Sequence, residues 1–309
     1  MKKVVIAGGA GFLGRALARS LAQDGWEVVI LSRRPAPADG FIRTAVWDGK
    51  NAGAWAAELD GAEAVVNLAG RSVACLHTPE NRREIVDSRV NSVRSIDQAC
   101  RQCRQPPTVL VQAASLAIYG DPDDRICDET SPHGTGFSVE VCEAWEGVFF
   151  AGAAAGGARR VALRIGFVFG RDGGALKPLA NLARWFLGGA AGSGRQYISW
   201  LHIDDFCAMV RWAIDNPQTQ GAYNATGPAP ATNADFMRAL RSALGRPWAP
   251  PTPAWAVKLG ARFIIRADPD LALGGRRCVP RRLLDEGFAF RHTDLGATLR
   301  ELLRPQKNV

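Results

Sequence analysis

Lys3-Val4-Val5-Ile6-Ala7-Gly8-Gly9-Ala10-Gly11-Phe12-Leu13-Gly14 opens the chain, and its reading decides the fold. A short β-branched run ends in glycines. From Phe12 to Gln23 the spacing becomes helical, with Leu13, Leu17 and Leu21 on one face. The turn between them carries the pattern G-x-x-G-x-x-G. In such a turn Gly8 permits a tight reversal, Gly11 lets backbone approach a pyrophosphate, and Gly14 lets helix and strand pack closely. The helix N-terminus then offers unpaired N–H groups, those of Phe12 and Leu13 included, and a partial positive charge.

Working outward, Trp26 to Leu31 reads as a second strand. It ends at Ser32, Arg33 and Arg34. An acidic residue there would accept from a ribose 2′-hydroxyl and favour NAD. Two guanidiniums and a hydroxyl suit a 2′-phosphate instead, so NADP(H) is the expected cofactor. Ala54 to Leu59 reads as helical and Ala64 to Leu68 as a strand. Glu80 to Arg104 reads as one long amphipathic helix, Val109 to Ala113 as a strand, Val139 to Ala154 as a helix and Arg160 to Phe167 as a strand. Strands alternating with helices imply right-handed crossovers. The expected class is α/β, a Rossmann doubly wound parallel sheet with a smaller C-terminal α/β lobe.

After Gly170 the pattern changes. Glycine is dense from Gly188 to Gly194. Tyr197 to Leu201 is strand-like, and helices follow at Asp204 to Ile214 and Asn233 to Leu244. The expected division is a nucleotide-binding domain at 1–170, with 197–228 returning to it, and a smaller substrate lobe at 171–309. No internal repeat or low-complexity segment is present.

Composition narrows the function classes. The chain has 309 residues, 47% of them hydrophobic and 22% charged, which suits a large buried core and excludes disorder. No apolar run reaches the ~18 residues of a membrane span. Lys2-Lys3 and Ala16-Leu17-Ala18 imitate a secretory signal, but glycines and Arg15 interrupt the apolar part. Seven cysteines without framework spacing point to reduced thiols in a cytoplasmic protein. Cys100 and Cys103 have no second pair to complete a zinc site, and no metal is expected. The net charge of +8 is densest at Arg276, Arg277, Arg281 and Arg282, without a nucleic-acid motif. A small-molecule substrate is expected, with no nucleic-acid or membrane partner; monomer and homodimer both stay open.

Further elements are Asn67-Leu68-Ala69-Gly70, Asp87-Ser88-Arg89, Ser115 through Tyr119-Gly120, Trp145-Glu146, Gly192-Ser193-Gly194-Arg195-Gln196, Trp200-Leu201-His202-Ile203-Asp204-Asp205 and Asn224-Ala225-Thr226. With the glycine turn, these make the chain resemble the extended short-chain dehydrogenase/reductase superfamily, its epimerase and dehydratase group. More narrowly it resembles the atypical branch called epimerase family proteins. The resemblance implies dinucleotide binding at Gly8, Gly11, Phe12, Leu13 and Gly14, with Leu68, Ala69, Gly70, Arg89 and Ser115 also at the cofactor. It places Asp48 at the adenine amine; a turn residue before Gly49 is an equal reading.

Active members of that superfamily use a Ser or Thr with Tyr and Lys four apart on one helix face, where the Lys charge lowers the Tyr pKa. The chain has six lysines and three tyrosines. Four residues after Tyr119, Tyr197 and Tyr223 stand Asp123, Leu201 and Gly227, so no Tyr-x-x-x-Lys exists. Phe137 and Val141 occupy the matching helix positions. Ser115 remains as a carbonyl-polarising candidate or a strand-end serine. Tyr119 reads as packing near the cofactor, and it is also the best-placed phenol for a substitute acid. Cys142 reads as a small buried hydrophobe, and His202 as a structural histidine bonded near Asp204 or Asp205. Where nucleotide-sugar enzymes clamp a diphosphate with Arg, Ile198 stands. Arg195, three residues earlier in a strand, points to the opposite face. Two functions follow: an oxidoreductase or epimerase with an unconventional acid/base, or a non-catalytic NADP(H)-binding sensor.

Overall fold

A computed structural model describes residues 1–152, 157–265, 268 and 273–304. Seven parallel strands form its central sheet: β1 (Lys3–Ala7), β2 (Glu27–Ser32), β3 (Ile42–Val46), β4 (Ala64–Asn67), β5 (Val109–Ser115), β6 (Arg159–Ile165) and β7 (Gly221–Ala225). Their order is β7-β6-β5-β4-β1-β2-β3. The order reverses between β1 and β4, and a doubly wound sheet binds ligands at that point.

Side chains alternate across β1, and both faces are buried. Val4 and Ile6 meet Leu17, Ala18 and Leu21 of α1 (Phe12–Gln23) on one side. Val5 and Ala7 meet the other layer, built by α2 (Pro79–Cys100) and α3 (Phe137–Ala151) through Val93, Ile96 and Phe149. Fully burying one such side chain contributes about 1.5–3 kcal/mol.

Several element readings shift. The helix read to Arg104 stops at Cys100, before Gln105-Pro106-Pro107, where proline disfavours helical backbone in the residue ahead of it. Ala54–Leu59 is a tight 3-10 turn. The strand read through Phe167 breaks at Gly166, where a Cβ would stand 2.4 Å from the Ser199 carbonyl oxygen. Phe167–Gly170 then pairs with Trp200–His202. Tyr197–Ile198 pairs instead with Ala231–Thr232. The last residues of the helix read to Ala154 lie outside the described residues.

A second core stacks Phe169 on Trp200, sets Phe236 at a tilt against it, and adds Leu240 and Leu299. It is built by α4 (Leu176–Arg184), α6 (Asn233–Ala243) and the C-terminal helix Leu295–Leu303. Between them lie α5 (Ile203–Asp215), which packs on α1, and α7 (Ala254–Gly260). Arg277–Cys278 pairs with Ile126–Cys127 and so pins the C-terminal segment beside the loop that follows β5. None of the described helices is long and apolar enough to cross a membrane.

Candidate dinucleotide site

The strand ends explain where the site forms. Gly8 has φ +72°, and a Cβ there would lie 2.8 Å from the Ala69 nitrogen. The turn after β1 therefore touches the loop after β4 directly. At Gly14 a Cβ would stand 2.4 Å from the Gly9 Cα, so helix and turn meet backbone to backbone. Gly11 differs. The nearest atom to a Cβ there is the Gly8 carbonyl oxygen at 3.6 Å, ordinary contact. Protein packing does not demand this glycine, whereas a phosphate seated over the helix N-terminus would. No side chain caps that terminus and its first turn holds no acid, so the N–H groups of Phe12 and Leu13 point outward at the positive end of the helix. The residues present thus fit a bound dinucleotide. The Phe12 ring itself packs against Gly170, Gly173 and Gly174.

At the end of β2 the Ser32 hydroxyl oxygen accepts from the Arg34 N–H at 3.3 Å. Arg33 and Arg34 are exposed, and no acid pairs with either among the described residues. Asp48 is a turn residue: its carboxylate accepts from the N–H groups of Lys50 and Asn51 and from the Asn51 amide. Those bonds hold its carboxyl below the usual range.

Beyond β4, Asn67 is buried between Ser92 and Gln112 and accepts from the Ala69 N–H, which orients the Leu68-Ala69-Gly70 turn. The half-buried Arg89 guanidinium lies 3.4 Å from the place of a Gly70 Cβ and 4.9 Å over the Trp145 ring. It donates to the carbonyls of Arg71 and Ile85. No carboxylate pairs with it among the described residues, and burial pushes its pKa down. An anion is the natural complement of such a cation.

Ser115 ends β5, and its hydroxyl oxygen accepts from the Ala117 N–H at 3.2 Å while its own proton stays available. The thiol of Cys142 on α3 faces the Ser115 carbonyl at 3.8 Å; burial pushes it up to about 12, which makes it an inert filler. Tyr119 is a correction to the reading of a substitute acid. Its hydroxyl is buried, donates to Asn224 Oδ1 at 2.8 Å and accepts from Arg164 at 2.9 Å, and burial raises its pKa further. A phenol so engaged serves the core. Arg164 in turn holds Glu146 through two bonds of 2.9 and 2.8 Å. Sequence reasoning noted Glu146 only as part of a motif and did not single out Arg164. A charged Arg inside a β6 strand of apolar residues was the available signal.

Phe137 and Val141 stand one turn apart on α3. Val141 is buried. The Phe137 ring lies under the Arg82 guanidinium at 4.7 Å and against the edge of His77 at 5.1 Å. His77 pairs with Asp268, a contact that periodicity could not foresee. Ile198 is buried, and the exposed Arg195 reaches Asp124 rather than the site. A cavity of about 1020 Å³ lies along α1 and α5, but none of Gly8, Ser32, Gly70 or Ser115 lines it.

His202 is structural. Its Nδ1 accepts from the Asp204 N–H and caps α5, and its ring stacks on His292 at 3.7 Å. With Nδ1 accepting, the neutral ring carries its proton on Nε2, which then has no lone pair for a metal. His202, His292 and Glu301 are close together, yet this tautomer disfavours a metal there. Burial, then the neighbouring His292, push the His202 pKa below its ordinary value, against Asp204, Glu301 and Asp205. The unfolded state thus takes up the proton first, and stability falls as pH drops below about 6.5. His202→Asn keeps a capping acceptor and is expected to flatten the decline in Tm between about pH 7 and pH 5. An unchanged slope would assign the decline to another group.

Comparison with known proteins bears on the fold and the family. The family described as "NAD dependent epimerase/dehydratase family" matches residues 4–226, and a domain of unknown function (DUF1731) matches 252–302. The chain is 33% identical over 308 residues to the chloroplastic epimerase family protein SDR39U1 homolog of Arabidopsis thaliana, across 97% of this chain and 86% of that one. It is 30% identical over 313 residues to epimerase family protein YfhF of Bacillus subtilis, across 99% of both. The crystal structure of human epimerase family protein SDR39U1 (isoform 2) with NADPH superposes with a TM-score of 0.86 at 31% identity, over 97% of this chain and 98% of that one.

Proposed function

The chain belongs to the NAD dependent epimerase/dehydratase family, and from that premise we propose that it binds NADP(H) and acts as an atypical oxidoreductase or epimerase on a small molecule. The carrying observation is the pair of acid-free guanidiniums, Arg33 and Arg34, at the end of β2 beside an uncapped helix N-terminus. The NADPH held by the human relative supports the same reading. When bound, the cofactor would supply or accept a hydride. Gly8, Gly11 and Gly14 with the N–H groups of Phe12 and Leu13 would hold its pyrophosphate, and Ser32, Arg33 and Arg34 its 2′-phosphate. Leu68, Ala69, Gly70 and Arg89 would flank the nicotinamide side. The Ser115 hydroxyl would donate to a substrate carbonyl oxygen.

Titration of NADPH and NADH by fluorescence tests the cofactor choice. Wild type is expected to prefer NADPH by at least tenfold, and Arg33→Ala to lose about tenfold in NADPH affinity with NADH unaffected, since a charged hydrogen bond contributes about this much. Equal affinities in the wild type would remove the 2′-phosphate argument.

A second reading, a non-catalytic NADP(H) sensor, is favoured by Phe137, Val141 and the engaged Tyr119. Carbonyl-panel turnover separates the two. Ser115→Ala is expected to lower turnover about 100-fold if the hydroxyl polarises the carbonyl. Tight NADPH binding with no hydride transfer to any carbonyl would favour the sensor.

A further inference from the structure

Two segments of the C-terminal lobe expose large apolar side chains side by side. One is the end of α4 and the loop after it, with Trp185 80% exposed and Phe186 and Leu187 also exposed. The other runs from Trp248, 75% exposed, through α7 to Phe263. Backbone ties them together: Thr252 N–H donates to the Ala190 carbonyl and Gly192 N–H to the Thr252 carbonyl, both at 2.8 Å. The Arg246 guanidinium lies 5.0 Å over the Phe186 ring.

The second segment has a helical order of its own. Trp255, Leu259 and Phe263 follow one another at intervals of four along α7 and the helical turn Ala261–Ile265 that continues it. Residues so spaced share a face, and Trp255 and Phe263 are each 69% exposed. Phe186 is held at φ +62°, a backbone state that a bulky residue rarely adopts. A soluble surface seldom gathers this much aromatic area without a partner.

Charge tells which partner. Between Gly173 and Ile203 the only charged residues are Lys177, Arg184 and Arg195; between Phe236 and Ile265 they are Arg238, Arg241, Arg246, Lys258 and Arg262. Neither stretch contains an acid. Lys177, Arg184, Arg246, Lys258 and Arg262 have no ion pair among the described residues. A second copy of the chain would bring the same positive patch against itself. A negatively charged surface would not.

We infer that this face docks on an anionic lipid surface, with Trp185, Phe186, Trp255, Leu259 and Phe263 entering the headgroup boundary and the lysines and arginines meeting lipid phosphates. An amphipathic helix with aromatics on one side and basic residues beside them binds membranes in this way, and tryptophan suits the interface because its ring is apolar with one polar edge. The absence of a spanning segment, which led to the expectation of no membrane partner, does not bear on a surface contact.

The test is co-sedimentation of the full chain with vesicles of phosphatidylcholine alone, or with about 30% phosphatidylglycerol, at roughly 0.1 M salt. Wild type is expected to bind the anionic vesicles at least tenfold more tightly than the neutral ones, and to release as salt rises to about 0.5 M. A triple variant, Trp255→Ala with Leu259→Ala and Phe263→Ala, and a charge variant, Lys258→Glu with Arg262→Glu, are each expected to lose about tenfold. Both should keep wild-type Tm and NADPH affinity, which certifies their fold. Binding to neither vesicle, or to both alike, overturns the inference. So does a dimer in analytical ultracentrifugation that the triple variant dissolves, because a second copy would then be the occupant. Failure of NADPH binding with vesicle binding intact would strike the functional reading alone.

Discussion

Gly11→Ala is expected to lower dinucleotide affinity by about 100-fold while Tm stays within roughly 3 °C of wild type. A Cβ at Gly11 meets nothing nearer than 3.6 Å in the protein, and the backbone there is extended with φ −76°. Alanine is therefore accommodated, and the new methyl occupies the space a pyrophosphate needs. Gly14→Ala is expected to behave otherwise. Its Cβ would stand 2.4 Å from the Gly9 Cα, backbone that cannot yield. Helix and turn must separate, at a cost of about 1–3 kcal/mol in stability, and affinity falls with them. Calorimetry beside ligand titration separates the two outcomes. A Gly11→Ala protein that binds NADPH normally would move the phosphate site elsewhere.

Glu146→Gln is expected to destabilise the chain by about 3–5 kcal/mol in urea unfolding. Arg164 and Glu146 are both buried and make their two bonds with little water to share them. Removing the carboxylate strands a guanidinium in the core, where its remaining side-chain bond is to Tyr119. Truncating both partners, Glu146→Leu with Arg164→Met, should recover much of the loss, because no charge is then left unpaired. A double variant worse than Glu146→Gln would show that Arg164 acts chiefly through Tyr119.

Those two sites differ in how openly the sequence displayed them. The glycine turn is local: strand, turn and helix lie within one short stretch, and Phe12 to Gln23 is the helix observed. The same locality made α6 readable from its first residue, whereas α3, read from Val139, begins two residues earlier at Phe137. The ion pair is not local. Glu146 sits on a helix and Arg164 on the strand that follows, and only the crossover brings them together. Tyr119 illustrates the limit. Its spacing from Ser115 placed it near the site, yet spacing could not say which way the ring turns. The strand read from Tyr197 to Leu201 is present but divided at Ser199, so that only Tyr197–Ile198 stands in its first part, and the two-residue Arg277–Cys278 is too short to show alternation. Ser199 explains the break in the first of them: its hydroxyl donates to the Arg276 carbonyl and accepts from the Cys278 N–H.

The place of β7 at the outer flank of β6 has a consequence for how the chain is made. Val161, Ala162 and Leu163 of β6 are buried in the cores on the two faces of the sheet, and Gly221–Ala225 pairs with their outer backbone edge. During translation that edge emerges well before its cover does. Until the ribosome has delivered β7, an apolar strand with unpaired backbone groups faces solvent and invites sticking to other chains. A fragment cut at Gly170 would keep that hazard permanently, so the shortest piece able to fold cleanly must run past Ala225. The nucleotide-binding half is a unit in space before it is one along the chain.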